Sequence, residues 1–344
     1  MAGYNPEEGA PWYDYCSNIT TVIIGNGVTS IGRGAFAFCT GLTSVTIYAP
    51  ELTYYGSNAF DGNADGRKIY VFSDCLTAYK TGWSGYADAI VPIEGIALAD
   101  AADNSALITA ASGATLDVTL AGRTLTKNNE WNTLCLPFSL TAVQIDASPL
   151  AGATIKELDN TADGTSLDNG TMTLKFTTAT SIEAGKPYII KWASGSAIEN
   201  PVFSGVTITS TTPTPITSND GRVTFVGQYS PFDIVESGAT GTNEGNKNEI
   251  ILMSTGNKMG YSKNARTLRC FRCHFYVPVG GGEQQARSFV LDFGEGETTE
   301  IGAMLNDKGK MINDIWYDLN GRKLDGKPTK KGLYIHNGRK EVVK

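Results

Sequence analysis

The residues best suited to chemistry sit in two short strings. The first, Cys270-Phe271-Arg272-Cys273-His274, is a literal C-x-x-C-H sequence, the spacing used to attach haem. Haem attachment needs both thiols and the imidazole gathered around one porphyrin, with a further axial ligand. The surrounding run 268–277 is rich in Phe, Tyr and Val and reads as a strand, where positions i and i+3 point to opposite faces. A strand parts the two thiols, so the string is read as structural and no cofactor is assigned.

The second string, Asp61-Gly62-Asn63-Ala64-Asp65-Gly66, fits the first half of a calcium loop. Its twelfth position, which should hold a bidentate Glu, is Phe72. The segment therefore reads as a Gly-rich turn, with a weak calcium site as the alternative, and no metal site is assigned. The two histidines, His274 and His336, both fall in strand-like runs, and no G-x-S-x-G, P-loop or H-E-x-x-H motif exists. Asp and Glu lie mainly in turns. The chain is expected not to be an enzyme; a glycan-degrading enzyme with a fold-assembled carboxylate pair is the weaker alternative.

The elements that would position such residues follow a repeat. Val22 and Ile24 recur at Val45 and Ile47, shifted by 23, and these recur at Ile69 and Val71, shifted by 24; Ala35-Phe36 recurs at Ala59-Phe60. A period in this range predicts leucine-rich-repeat coils, each giving one short strand to a parallel ladder. The run Val28-Thr-Ser-Ile31-Gly32-x-x-Ala35-Phe36-x-x-Cys39-x-x-Leu42-x-x-Val45-x-Ile47 resembles the BspA-like repeats of exported bacterial surface proteins. That resemblance implies adhesion or protein recognition. It also implies a partner on a host or neighbouring cell, protein or glycan, and an extracellular or cell-surface location.

Alternation along each strand turns Val22, Ile24, Val45, Ile47, Ile69 and Val71 inward. The outward set is then Thr21, Ile23 and Gly25, then Ser44, Thr46 and Tyr48, then Lys68, Tyr70 and Phe72. Tyr48, Tyr70, Phe72, Thr46 and Ile23 are the candidate binding residues, because clustered exposed aromatics mark recognition surfaces. Both ends of so short an array need covering. The aromatic segment 1–18, with Pro11-Trp12-Tyr13, serves one end, and 74–86, with Leu76, Tyr79 and Trp83 at helical spacing, serves the other.

Length and composition set the rest. A chain of 344 residues suits two or three domains. Net charge is −7 with no basic stripe, so nucleic acid is not an expected partner. No apolar run is long enough for a membrane span. The first fifteen residues lack the pattern of a signal peptide, so an export signal is expected upstream. Six cysteines are too few for a disulfide scaffold and mostly sit in apolar patterns, although an exported chain could pair some of them.

The predicted class is mainly β: a short leucine-rich-repeat solenoid over 1–94, a linker over 95–104, an antiparallel β-sandwich over 105–300 and a C-terminal β module over 301–344. A helix is predicted over 105–111 between Asn104 and Gly113. Strands are predicted over 115–120, 131–138, 171–177, 187–192, 205–209, 222–227, 249–254, 268–277 and 288–293. Trp131-Asn-Thr-Leu-Cys-Leu-Pro-Phe138 and Gly185-Lys-Pro-Tyr188 resemble a module found after BspA-like repeats. Carbohydrate binding through exposed Trp131 or Trp192 is the alternative function. Asn320-Gly321 and Asn337-Gly338 predict two terminal hairpins, similar to C-terminal β modules that serve some exported proteins as sorting signals.

Overall fold

The computed structural model describes residues 10–168, 170–235, 244–246, 249–254, 257–262, 264–278, 286, 288–294, 298–303, 316–317, 323–324, 328–336 and 339–343. The described chain is mainly β, in several sheets, none of which closes. It divides into two compact units. One is drawn from Met1–Thr124, Pro137–Ala151 and Glu199–Thr212, the other from Leu125–Leu136, Gly152–Ile198 and Pro213–Lys344.

In the first unit the repeat builds a parallel ladder of four strands: Thr21–Ile24, Ser44–Ile47, Lys68–Val71 and Ile90–Pro92. Val22 pairs with Val45, Val45 with Ile69, and Ile69 with Ile90, so the three expected rungs stand side by side and a fourth follows. The inward residues Ile24, Val45, Ile47, Ile69, Val71 and Ile90 are buried in one core with Leu42, Phe36 and Phe60. Each contributes about 1.5–3 kcal/mol of apolar burial before entropy is charged against it.

The turns repeat as faithfully as the strands. Gly34 and Asn58 occupy the left-handed region one coil apart, as do Phe38 (φ 62°) and Gly62 (φ 65°). Backbone bonds join the coils at these turns as well, Phe36 N–H to Ala59 O at 2.8 Å and Phe38 N–H to Asp61 O at 2.7 Å. A second small parallel pair, Ser30–Ile31 with Tyr54–Tyr55, joins the same successive repeats.

Both ends are covered by aromatics. Trp12 stacks on Phe36 at 5.3 Å, Phe36 on Phe60 at 5.7 Å, and Trp83 closes edge-on against Phe60 at 5.2 Å. The helix Leu76–Gly82 carries Tyr79 inward, where its hydroxyl donates to Ala49 O at 2.7 Å.

Residues 95–104, expected as a linker, contain the strand Gly95–Ala99 instead. Ile96 and Leu98 alternate inward there, and small Ala and Gly residues between them had hidden the period. This strand runs parallel to Thr115–Ala121, which pairs antiparallel with Val202–Thr207. The expected helix is present as Ser105–Ala110. Asn104 holds the N-cap position as expected, but its side chain makes no capping bond; its amide instead bonds Ala99 N–H, Ala99 O and Ala102 O.

The second unit holds a sheet ordered Asn132–Cys135, Pro187–Lys191, Thr154–Leu158, Thr171–Thr178, Ser288–Asp292 and Thr298–Ala303. A five-stranded sheet is centred on Thr224–Gly227, Cys273–Tyr276 and Ile250–Ser254. Phe176 of the first meets Phe225 and Phe275 of the second at 6.4 and 6.5 Å. The expectation of purely antiparallel pairing is corrected here: Thr171–Thr178 and Ser288–Asp292 run parallel. The two terminal hairpins form, Trp316–Tyr317 with Lys323–Leu324 and Gly332–His336 with Arg339–Val343, all antiparallel. The Asn-Gly pairs expected to turn them lie outside the described residues. No helix among the described residues is long and apolar enough to cross a membrane.

Candidate functional site: the outer face of the ladder

Register places one outward residue of each strand in a straight row: Ile23 opposite Thr46, Thr46 opposite Tyr70, Tyr70 opposite Val91. Ile23 is 56% exposed, and the other three are half-buried. At one strand spacing of about 4.8 Å per step, the row is roughly 14 Å long. Thr21, Ser44 and Lys68 form a parallel polar row beside it, with Thr21 and Lys68 exposed.

Two of the expected outward residues behave differently. Tyr48 was expected to stand open on this wall, but it is 4% exposed, and burial pushes its phenol up to about 12. The reason is local: the strand ends at Ile47, so alternation no longer governs Tyr48, and it and Ala49 are both buried. Its ring lies against Phe72 at 5.8 Å, leaving Phe72 half-buried. This end of the wall is also where the following segment arrives, with Asn26 Nδ2 donating to Ser112 O at 2.7 Å. Val91 was missed by sequence reasoning because its strand follows a helix and arrives 21 residues after its partner, outside the 23–24 period.

The residues of the two chemical strings make contacts within the chain. Asn63 points into the coil stack, its Nδ2 donating to Phe36 O at 2.8 Å and Cys39 O at 3.2 Å. Asp61 Oδ1 accepts from Tyr86 Oη at 2.7 Å, and Arg67 Nη1 donates to Phe60 O at 2.7 Å and to Asn63 Oδ1 at 3.3 Å. A guanidinium among the side chains that would have to ligate a cation opposes calcium on simple charge grounds. No group of three or more His, Cys, Asp or Glu able to hold a metal occurs among the described residues.

Cys270 and Cys273 are both buried, but they do not lie on one strand as expected. The run is not one strand: Phe271 turns it in the left-handed region (φ 57°) between the strands Arg266–Leu268 and Cys273–Tyr276. His274 stacks on Phe232 at 4.4 Å, and burial depresses its pKa to about 4. Gln228 Nε2 donates to Leu268 O and Arg269 O, which fixes the amide and turns Oε1 toward His274 Nδ1 at 3.3 Å. The neutral ring therefore carries its proton on Nδ1. His336 lies within the strand Gly332–His336.

Trp131 and Trp192, expected as an exposed sugar platform, are 9% and 4% exposed. Trp131 stacks on Phe293 at 4.8 Å and lies under Lys191 Nζ, and Trp192 lies under Lys127 Nζ at 4.9 Å. Their faces are occupied by the protein's own groups.

No curated protein and no solved structure matches the chain. The β-rich remainder is matched by no family model. Residues 9–82 match the family model described as BspA type Leucine rich repeat region (6 copies), which spans the N-terminal cap, the first three rungs of the ladder and the helix that follows them.

Proposed function

We propose that this chain is a secreted or cell-surface binding protein that recognises a partner protein through the row Ile23, Thr46, Tyr70 and Val91. It acts by adhesion or recognition, not catalysis, and needs no cofactor. In this reading 10–94 is a short capped solenoid, and the facing sheets of the second unit are a β-sandwich. The observation that carries the proposal is the in-register row itself. It places three apolar or aromatic residues and one Thr side by side on a rigid sheet, held from behind by fully buried aliphatic residues. Such a face exposes apolar surface without the cost of ordering loops on binding, which favours a protein partner. The BspA-type match to 9–82 supports the same class of function, since such proteins are commonly surface proteins of adhesion or recognition.

The test is adhesion of beads coated with the full chain to epithelial or bacterial cells, with Ile23→Ser and Tyr70→Ser combined. Loss of a recognition anchor costs about 2 kcal/mol or more, so adhesion should fall at least tenfold while the circular dichroism spectrum stays unchanged. Protease treatment of the target cells should remove binding, whereas glycosidase treatment should not. Unchanged adhesion of the double variant overturns the proposal.

A further inference from the structure

The N-terminal cap is stacked as if it were one more coil. Trp12 sits over Phe36 at 5.3 Å and its Nε1 donates to Ala35 O at 2.9 Å, the same ring column that continues through Phe60. The short 3-10 helix Tyr13–Asn18 then lies along the turn of the first coil, with Cys16 Sγ 4.0 Å from Ala37 O. Cys16 and Cys39 are separated by 23 residues, the step that relates Val22 to Val45 in the ladder. The next member of this column, 24 residues on, is Asn63, which clasps the turn by hydrogen bonds. Both thiols are buried in the same core, near enough for Cys16 to act on the Cys39 thiol.

We propose that Cys16 and Cys39 are a cross-linking site, joined as a disulfide that fastens the N-terminal cap to the first coil when the chain folds in an oxidising compartment. Adjacent coils are separated by one strand spacing of about 4.8 Å, which falls inside the Cα–Cα range of roughly 4.4–6.8 Å that disulfides occupy. The oxidant is a small or protein disulfide, RSSR. One Cys thiolate attacks it and releases RS⁻; the second thiolate then attacks the mixed disulfide and releases another RS⁻. The balance is two thiols plus RSSR giving one Cys16–Cys39 disulfide and two RSH. The exchange belongs to the stage before the cap docks, because in the folded chain both sulfurs are covered. Burial and the neighbouring Cys16 push the Cys39 thiol up to about 12, which leaves almost no thiolate. Once formed, the bond is shielded from reductants by the same packing.

The full chain is unfolded in guanidinium with dithiothreitol, then refolded in a mixture of oxidised and reduced glutathione. It is next denatured again in iodoacetamide and mapped by mass spectrometry. The expected product is a peptide pair linked through Cys16 and Cys39, with Cys75, the one cysteine not buried, alkylated. Closing this loop should shift the folding equilibrium on the order of a hundredfold toward the native state. The urea midpoint of the oxidised wild type should therefore drop on adding dithiothreitol, and that of C16A/C39A should not. Alkylation of both Cys16 and Cys39 after oxidative refolding, or linkage of either to a different cysteine, overturns the proposal.

Discussion

Asn63→Asp separates the clasp from the calcium loop that its sequence imitates. In a calcium loop an Asp at this position adds negative charge to the ligand set and strengthens cation binding. In the observed coil the substitution removes both donated bonds, to Phe36 O and Cys39 O. It also turns a carboxylate toward two carbonyl oxygens. Each carbonyl keeps a backbone donor, Cys39 N–H at 3.4 Å and Leu42 N–H at 2.9 Å, so neither is orphaned. The two lost bonds are worth about 1 kcal/mol each, and desolvating the new charge adds a similar amount. Arg67, already 3.3 Å from Asn63 Oδ1, returns less than about 1 kcal/mol. The net is a loss of about 2–3 kcal/mol, or roughly 1–2 M in the urea midpoint. The assay is urea unfolding in EDTA and in millimolar calcium, with hydrogen exchange of the peptides covering 34–63 to localise the effect. Wild-type midpoints should coincide in the two buffers. An N63D variant as stable as wild type, or one that calcium stabilises, refutes the assignment of Asn63 to the coil stack.

Other substitutions test other parts of the molecule. Gly82→Ala would put a Cβ 2.5 Å from the Tyr55 ring, which Tyr79 and Trp83 already hold edge-on. A loss of about 1–3 kcal/mol is expected by thermal melting, and Tyr55→Ala in the same chain should remove the penalty. His274 titrates near 4 when folded against about 6.5 when unfolded, so the unfolded chain takes up more protons between those values. Its contribution is complete above pH 6.5 and is lost as pH falls toward 4, on the order of 3 kcal/mol. A His274→Gln variant should lose less stability over that window, and the His274 ring resonances should not move above pH 5.5.

What the sequence revealed depends on whether the chain obeyed its own period. Val22, Val45 and Ile69 were legible because inward aliphatics recur at a fixed step and the coil permits one solution. The fourth rung was not, because the helix Leu76–Gly82 intervenes and shortens the step to Ile90. Tyr48 was misplaced by extending strand alternation one residue past the strand, where the backbone turns and the phase is reset. Gly95–Ala99 looked like a linker because Gly and Ala say little about burial, and only Ile96 and Leu98 mark the inner face. The nine strands expected beyond residue 110 each coincide with or overlap a strand of the structure, but their pairing was not readable: Thr171–Thr178 meets Ser288–Asp292 across more than a hundred residues of chain. Trp131 and Trp192 illustrate a general limit, since an aromatic in a strand-like run has no sequence mark that tells a buried face from an open one.

The column of rings through the coils has a consequence for how this array changes length. Its interior members are phenylalanines stacked nearly flat, Phe36 on Phe60 at 4°, and each terminus is a tryptophan that finishes the column. A phenylalanine in the middle accepts another phenylalanine or a tryptophan on either side. A duplicated block of 24 residues could thus be spliced between Phe36 and Phe60 without altering either tryptophan. Every such insertion would add one more outward residue to the row that begins at Ile23, so reach and selectivity could be extended a single step at a time.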